Sequence, residues 1–242
     1  MLRVTFLAGV LALAAGSAVA DPGYYVVTPY DNAGIRMVDF RYWTVKPQGG
    51  TEVVWPEVGL AYGVTSRWTT ELLLSYIGSS QMATRLSTLN WQNDVLLTQG
   101  ELPFDLALHM LMTSNRMDPD YSAVEVGPVF QTDVDRTQLN ANLFFEHNYG
   151  PQAPSQTFLK YQWQVRHRWM RQLHVGAQGF GEVGPWDDWL PRAKQSHRAG
   201  PALFTTVHLA EDQALKLQAA YLIGKTYGRN GHEFTMQAVY EF

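Results

Sequence analysis

His232-Glu-Phe-Thr-Met-Gln-Ala-Val-Tyr-Glu-Phe242, the last eleven residues of the sequence, alternate apolar and polar side chains. Phe234, Met236, Ala238, Tyr240 and Phe242 fall on one face of an extended chain. Glu233, Thr235, Gln237 and Glu241 fall on the other, with Val239 as the exception. Alternate side chains of a strand point to opposite faces, so this period of two predicts a β-strand with one apolar and one polar side. The pattern recurs upstream. Leu215, Leu217, Ala219, Tyr221 and Ile223 oppose Lys216, Gln218 and Gly224, and Leu159, Tyr161, Trp163 and Val165 oppose Lys160, Gln162, Gln164 and Arg166.

Twelve such segments are legible, at about 34–46, 52–63, 67–78, 82–98, 101–114, 121–132, 136–149, 156–169, 172–184, 195–209, 213–225 and 231–242. Most run 11–14 residues. Strands of water-soluble proteins cluster near ~5–6 residues, whereas a tilted strand needs ~9–11 to cross a bilayer. Short turns at 64–66, 98–100, 133–135, 170–171 and 210–212 alternate with longer Gly-, Pro- and Asp-containing gaps, the gap at 79–81 being short where a long one is due. In 82–98, Arg85 and Asn93 share a face with Leu89, Trp91 and Val95, which predicts a bulge. The expected fold is all-β: a transmembrane antiparallel up-and-down β-barrel of about 12 strands with both termini in the periplasm. A water-soluble β-sandwich also alternates, but strand length, turn asymmetry and export oppose it.

The start of the chain supplies the export argument. Met1-Leu2-Arg3 is a positive start, Val4–Ala15 is apolar, and Gly16-Ser-Ala-Val-Ala20 ends in a small-residue cleavage pattern. These are the parts of a secretory signal peptide, and the apolar run is too short to span a bilayer. Residues 1–20 are therefore expected to be a signal peptide, 21–33 an N-terminal periplasmic segment and 34–242 the barrel. Composition agrees. Charged residues make up 17% of the chain, against ~25% in soluble domains, while it carries 8 Trp and 12 Tyr. With 22 acids against 18 bases there is no basic field for nucleic acid. Cysteine is absent, which removes disulfides and thiolate metal sites. Neither the seven His nor any other pattern implies a metal or cofactor. Trp43, Trp55, Trp68, Trp163, Trp169, Tyr161, Tyr221 and Tyr240 are candidates for the aromatic girdles at the membrane surfaces.

Tyr240 and Phe242 resemble the terminal signature of bacterial outer-membrane barrels, in which a final aromatic closes an alternating strand and is read by the barrel-assembly machinery. The stretch Gly59-Leu-Ala-Tyr-Gly-Val-Thr-Ser-Arg-Trp68, with Gly200-Pro-Ala-Leu-Phe204, is similar to outer-membrane barrels grouped under the meta-pathway of phenol degradation. That resemblance implies a barrel in contact with outer-membrane lipids and lipopolysaccharide, and a channel for a small organic solute of unidentified nature. It brings no catalytic residues.

Parity places a charged wall inside. Arg41, Glu146, Lys160, Arg166, Arg168, Glu182, Lys216 and Glu233 are the expected lumen and constriction residues, with Lys160, Arg166 and Arg168 as a basic ladder facing acids. Such a wall either selects solutes or braces a filled barrel. An outer-membrane lipid hydrolase is the enzyme alternative, but no GxSxG is present and Ser114 and His109 fall on opposite faces of one strand. The chain is therefore read as a passive channel rather than an enzyme, with a plugged structural barrel as the other alternative. Deleting Phe242 is expected to lower the amount of barrel in outer-membrane fractions far more than the yield of refolding in detergent; equal outer-membrane levels would contradict its reading as an assembly signal.

Overall fold

The computed structural model describes residues 25–29, 33–118, 121–151, 153, 155–226 and 228–242. The expected signal peptide, residues 1–20, lies outside them. The described residues form twelve strands: β1 (Arg36–Pro47), β2 (Val53–Thr65), β3 (Trp68–Ser79), β4 (Met82–Leu96), β5 (Asp105–Asn115), β6 (Ser122–Val134), β7 (Thr137–Tyr149), β8 (Thr157–His167), β9 (Leu173–Pro185), β10 (Ser196–Ala210), β11 (Gln213–Thr226) and β12 (Arg229–Glu241). Each pairs antiparallel with its sequence neighbours, and β12 returns to β1 to close a barrel. Closure removes the exposed edge that any open sheet leaves. Phe242 completes it, because its N–H and C=O exchange bonds of 3.0 Å with the C=O and N–H of Arg36.

The two faces of the wall invert the arrangement of a water-soluble protein. On β2, Glu57 is 1% exposed and Leu60 is 67% exposed. Leu72, Met112, Leu203, Ile223 and Phe234 share the exposed outer face, while Asp39, Glu71, Asn90, Gln178 and Gln237 are buried inside. An apolar outer wall around a polar interior is stable only where the solvent is hydrocarbon, and a closed ladder is then required to pair every backbone group.

The bulge expected in 82–98 lies between β3 and β4, where Ser75 pairs with Thr88 but Tyr76 with Leu86, leaving Ser87 extra. Asn93 stays on the outer face and is satisfied there by the Trp68 indole N–H at 3.1 Å. The turn asymmetry is weaker than expected. The connection after β4 spans 97–104 rather than a tight turn at 98–100, and β11 and β12 are joined at 227–228 without a long loop. The sequence 97–104 mimics a strand because Leu102 and Phe104 keep parity, but Pro103 removes a ladder donor. This connection is held instead by Thr98 and by the Arg67–Glu101 ion pair at 2.7 Å. The Gln99 N–H and then the Arg67 guanidinium hold the Glu101 carboxyl below its ordinary range.

Two Gly-Pro pairs interrupt the ladder without shifting its register. At Gly127-Pro128 the β6–β7 pairing skips from Val126–Phe145 to Val129–Asn142. At Gly200-Pro201 the β10–β11 pairing skips from Ala199–Ile223 to Ala202–Ala220. Proline offers no N–H, and the glycine lets the neighbouring backbone come close. A Cβ on Gly127 would stand 1.9 Å from the Leu143 carbonyl oxygen, and one on Gly200 1.9 Å from that of Tyr221. Gly127→Ala is therefore expected to cost about 1–3 kcal/mol through forced separation of β6 from β7, read as a lower urea midpoint of the detergent-refolded barrel. An unchanged midpoint would mean that the close approach of β7 to β6 does not require the glycine.

Candidate functional site: the barrel lumen

Inward parity brings a belt of charge together from strands far apart in sequence. Arg41 on β1 donates from Nε to Asp39 at 2.7 Å and from its terminal nitrogens faces Glu71 at 2.7 Å and Glu57 at 3.6 Å. Glu57 accepts from the Ser75 hydroxyl and from the Asn90 amide, the latter at 3.0 Å. Gln237 of β12 donates to Asp39 at 2.7 Å. Further round the wall, the His109 ring donates from Nδ1 to Asp94 at 2.6 Å, and its Nε2 lies 3.6 Å from Glu125. Lys160 then bridges Glu125 at 3.3 Å and Glu146 at 2.5 Å. A second cluster sits between β9, β10 and β12, where Arg198 pairs with Glu182 at 3.0 Å and Glu233 at 2.8 Å.

The expected constriction residues thus divide. Arg41, Glu146, Lys160, Glu182 and Glu233 are in the lumen and paired, Glu182 with Arg198 of β10 beside its register partner Lys160 of β8. Lys216 pairs with Glu241 at 2.5 Å near the end of the barrel where β12 finishes. Arg166 lies at that same end, donating from Nε to His174 at 2.9 Å with its guanidinium 5.2 Å from the Phe204 ring. Arg168 does not belong to the wall. β8 ends at His167, and Arg168 sits in the following turn, 41% exposed and paired with Asp133 at 2.8 Å. The basic ladder is therefore two cations set apart along β8, not three in a row. His109, Glu57, Glu71, Asp94, Glu125 and Arg198 were assignable to the inside by parity, but which of them meet depends on strand register, which parity does not carry.

Trp43 and Trp55, expected as girdle residues, also face inward. Trp43 shares the parity of Arg41 and Trp55 that of Glu57. They are register partners with rings stacked at 5.7 Å and 3°. Trp68, Trp169 and Tyr221 do stand on the exposed side.

The segment expected to precede the barrel enters it. Tyr25, Val26 and Val27 are buried. Tyr25 packs its ring 3.6 Å under the Arg41 guanidinium and donates its hydroxyl to Gln92 at 2.6 Å. The Val27 N–H donates to Gln162 at 3.1 Å, and its C=O accepts from Asn142 at 2.8 Å. Tyr25 and Val27 pack on Leu96, Ala107, Val129 and Phe144, while Val26 turns to the opposite wall of Trp43, Phe180, Phe204 and Leu222. Contacts with β1, β4, β7 and β8 at once are possible only from within the barrel. The cavity left beside Tyr25 and Arg41 is about 20 Å³, room for roughly one water molecule. The run Tyr25-Val26-Val27 was the available signal, since three adjacent large apolar residues are out of place in a solvated lead.

No protein-family pattern and no curated protein sequence matches the chain. Solved structures do. An outer membrane channel from Pseudomonas putida F1 superposes with a TM-score of 0.60 at 13% identity, over 92% of this chain and 99% of that one. The KdgM porin gives 0.58 at 6% identity over 85% and 99%, and the NanC porin 0.56 at 10% identity over 85% and 98%. KdgM has also been solved in complex with disordered oligogalacturonate. At these identities the likeness is one of fold: the closed barrel of this chain superposes on those of outer-membrane channels.

Removing Arg41 is the sharpest test of the belt. Arg41→Met leaves Asp39, Glu57 and Glu71 facing one another without their cation, and breaking a buried pair costs about 3–5 kcal/mol. The urea midpoint of the refolded barrel should fall accordingly. A midpoint within error of the parent would show that the acids are not held by Arg41.

Proposed function

We propose that the protein is a passive outer-membrane channel for small solutes, with its termini on the periplasmic side and residues 25–29 as a stopper in its lumen. The observation that carries the reading is the combination of a channel-type barrel with a short internal segment that closes it. The expected signal peptide supports delivery across the inner membrane, and Tyr240 and Phe242 support handling by the assembly machinery. The resemblance of Gly59–Trp68 to barrels of the phenol-degradation grouping fits a small organic solute. Lipids and lipopolysaccharide are the partners of the apolar outer wall.

A second reading has an observation of its own. Charges that are buried and paired, with a segment lodged among them, also suit a permanently filled structural barrel. An enzyme reading gains no such support. His109 is engaged by Asp94 and Glu125, and no hydroxyl nucleophile is bonded to it among the described residues.

Planar-bilayer recording separates these readings. The refolded parent should conduct weakly or intermittently. Deleting residues 21–30, or Tyr25→Ala, should raise the mean conductance several-fold. If neither variant conducts above background in any salt, the channel reading fails and the filled barrel stands.

A further inference from the structure

At the end of the barrel away from Phe242, two connections bring cations together. The hairpin at 227–228 joins β11 to β12, and Lys225 and Arg229 flank it. The connection from β9 to β10, residues 186–195, carries Arg192 and Lys194. The two connections touch: a Cβ on Gly228 would stand 3.9 Å from the Lys194 Cα and 3.5 Å from the Ala193 carbonyl oxygen. Arg192, Lys194 and Arg229 are exposed and Lys225 is half-buried. Among the described residues none of the four forms an ion pair. Asp187 and Asp188 belong to the other shoulder of the β9–β10 connection, where Trp186 meets Phe145 of β7 with ring centroids 6.4 Å apart. Glu52 precedes Val53, the register partner of Val45, and so lies beside Lys46 of β1 rather than in this group. The group stands where the lipid-facing wall ends. Leu222 and Thr226 are buried inside, so Lys225 shares the outward parity of Tyr221 and Ile223. The Tyr221 ring stacks on the exposed His232 of β12 at 5.7 Å and 23°. A ring with an apolar body and a polar tip marks the headgroup level of a membrane. Leu203 and Leu217 continue the apolar face from there toward Phe242.

We propose that this corner seats a phosphorylated glycolipid of the outer leaflet, the lipid A of lipopolysaccharide, its phosphates among Lys194, Lys225 and Arg229 and its acyl chains along Leu203, Leu217 and Ile223. The inference rests on the orientation proposed above, with the termini periplasmic, and not on conduction. Phosphate oxygens accept charge-assisted bonds from guanidinium and ammonium groups alike. Four cations without a carboxylate partner exceed the single charge of a phosphodiester headgroup, which favours a lipid that carries more than one phosphate. Along β11 the wall changes from apolar to cationic between Ile223 and Lys225, the order in which such a lipid presents its chains and then its phosphates.

The test uses native mass spectrometry of the full-length protein, refolded in neutral detergent, with three probes: lipid A bearing its phosphates, the same lipid A with them removed, and phosphatidylglycerol. Phosphorylated lipid A is expected to bind about tenfold tighter than either other probe. Lys225→Gln and Arg229→Gln should each weaken it about fivefold. Arg85→Gln and Arg116→Gln, at the same end of the barrel on β4 and after β5, should leave it unchanged. Equal binding of the three probes overturns the proposal. So does an affinity unaltered in the Lys225 and Arg229 variants, or lowered as much in the Arg85 and Arg116 variants. Should a strand variant fail to refold, as judged by heat-modifiable migration on a detergent gel, Lys194→Gln carries the test from outside every strand. Orientation is read separately. The chain has no cysteine, so Arg192→Cys supplies a single thiol, which a membrane-impermeant maleimide should label on intact cells. Phosphate-selective binding without labelling keeps the site and overturns its outer-leaflet partner. Labelling without phosphate-selective binding keeps the orientation and sinks the site. Neither readout needs an open pore, so the channel reading stands or falls apart from both.

Discussion

The structure depends on one constraint: a closed wall whose outside is apolar must put nearly all its charged side chains inside, many of them where water does not reach. Glu57, Asn90, Thr88 and His109 are nearly or fully inaccessible, and a charge so placed costs several kcal/mol unless partners meet it. The belt from Asp39 through Arg41, Glu71, Asp94, His109, Glu125 and Lys160 to Glu146 meets that demand by setting Arg41, His109 and Lys160 each between two or more acids. It also joins strands that share no backbone pairing, such as β1 with β3 and β6 with β8. The ladder sets the circumference and the belt ties across it.

The interior is not polar all round. Trp43, Trp55, Phe180, Phe204 and Leu222 make an apolar stripe on β1, β2, β9, β10 and β11, facing a wall rich in amides and acids on β3 to β8. An extended segment with alternating side chains can satisfy both walls at once, and Tyr25-Val26-Val27 does so. The period of two that builds the barrel thus also suits the piece that fills it.

How much of this was legible follows from what a period carries. Alternation fixes where strands run and which side chains face inward, so all twelve strands and the inward positions of Arg41, Lys160 and Glu233 could be read from residues alone. It does not fix register, so the Arg198–Glu182–Glu233 cluster could not be assembled. It misleads at strand ends, where Arg168 keeps the parity of Arg166 although β8 ends at His167 and the Arg168 side chain turns to Asp133. Trp43 and Trp55 were legible by parity but outvoted by the habit of aromatics at membrane surfaces. Tyr25–Val27 lay beyond any strand, and because both walls it meets present apolar side chains, its own residues are all apolar and show no polar alternation.

The way the segment is held bears on whether it can leave. Among the described residues, its hydrogen bonds to the wall are made by the side-chain amides of Gln92, Gln162 and Asn142, not by a strand edge. Amides carry no charge and accept water in place of protein at little net cost. The ion Tyr25 touches, Arg41, keeps all three of its carboxylates whether or not the ring lies beneath it. Withdrawal would therefore expose amides and one already neutralised cation and leave no charge unpaired. A segment built into the belt by an ion pair of its own would have to break it to move, at the cost that fixes such pairs in place. The lumen thus braces its wall with charge and holds the segment by hydrogen bonds to neutral groups alone.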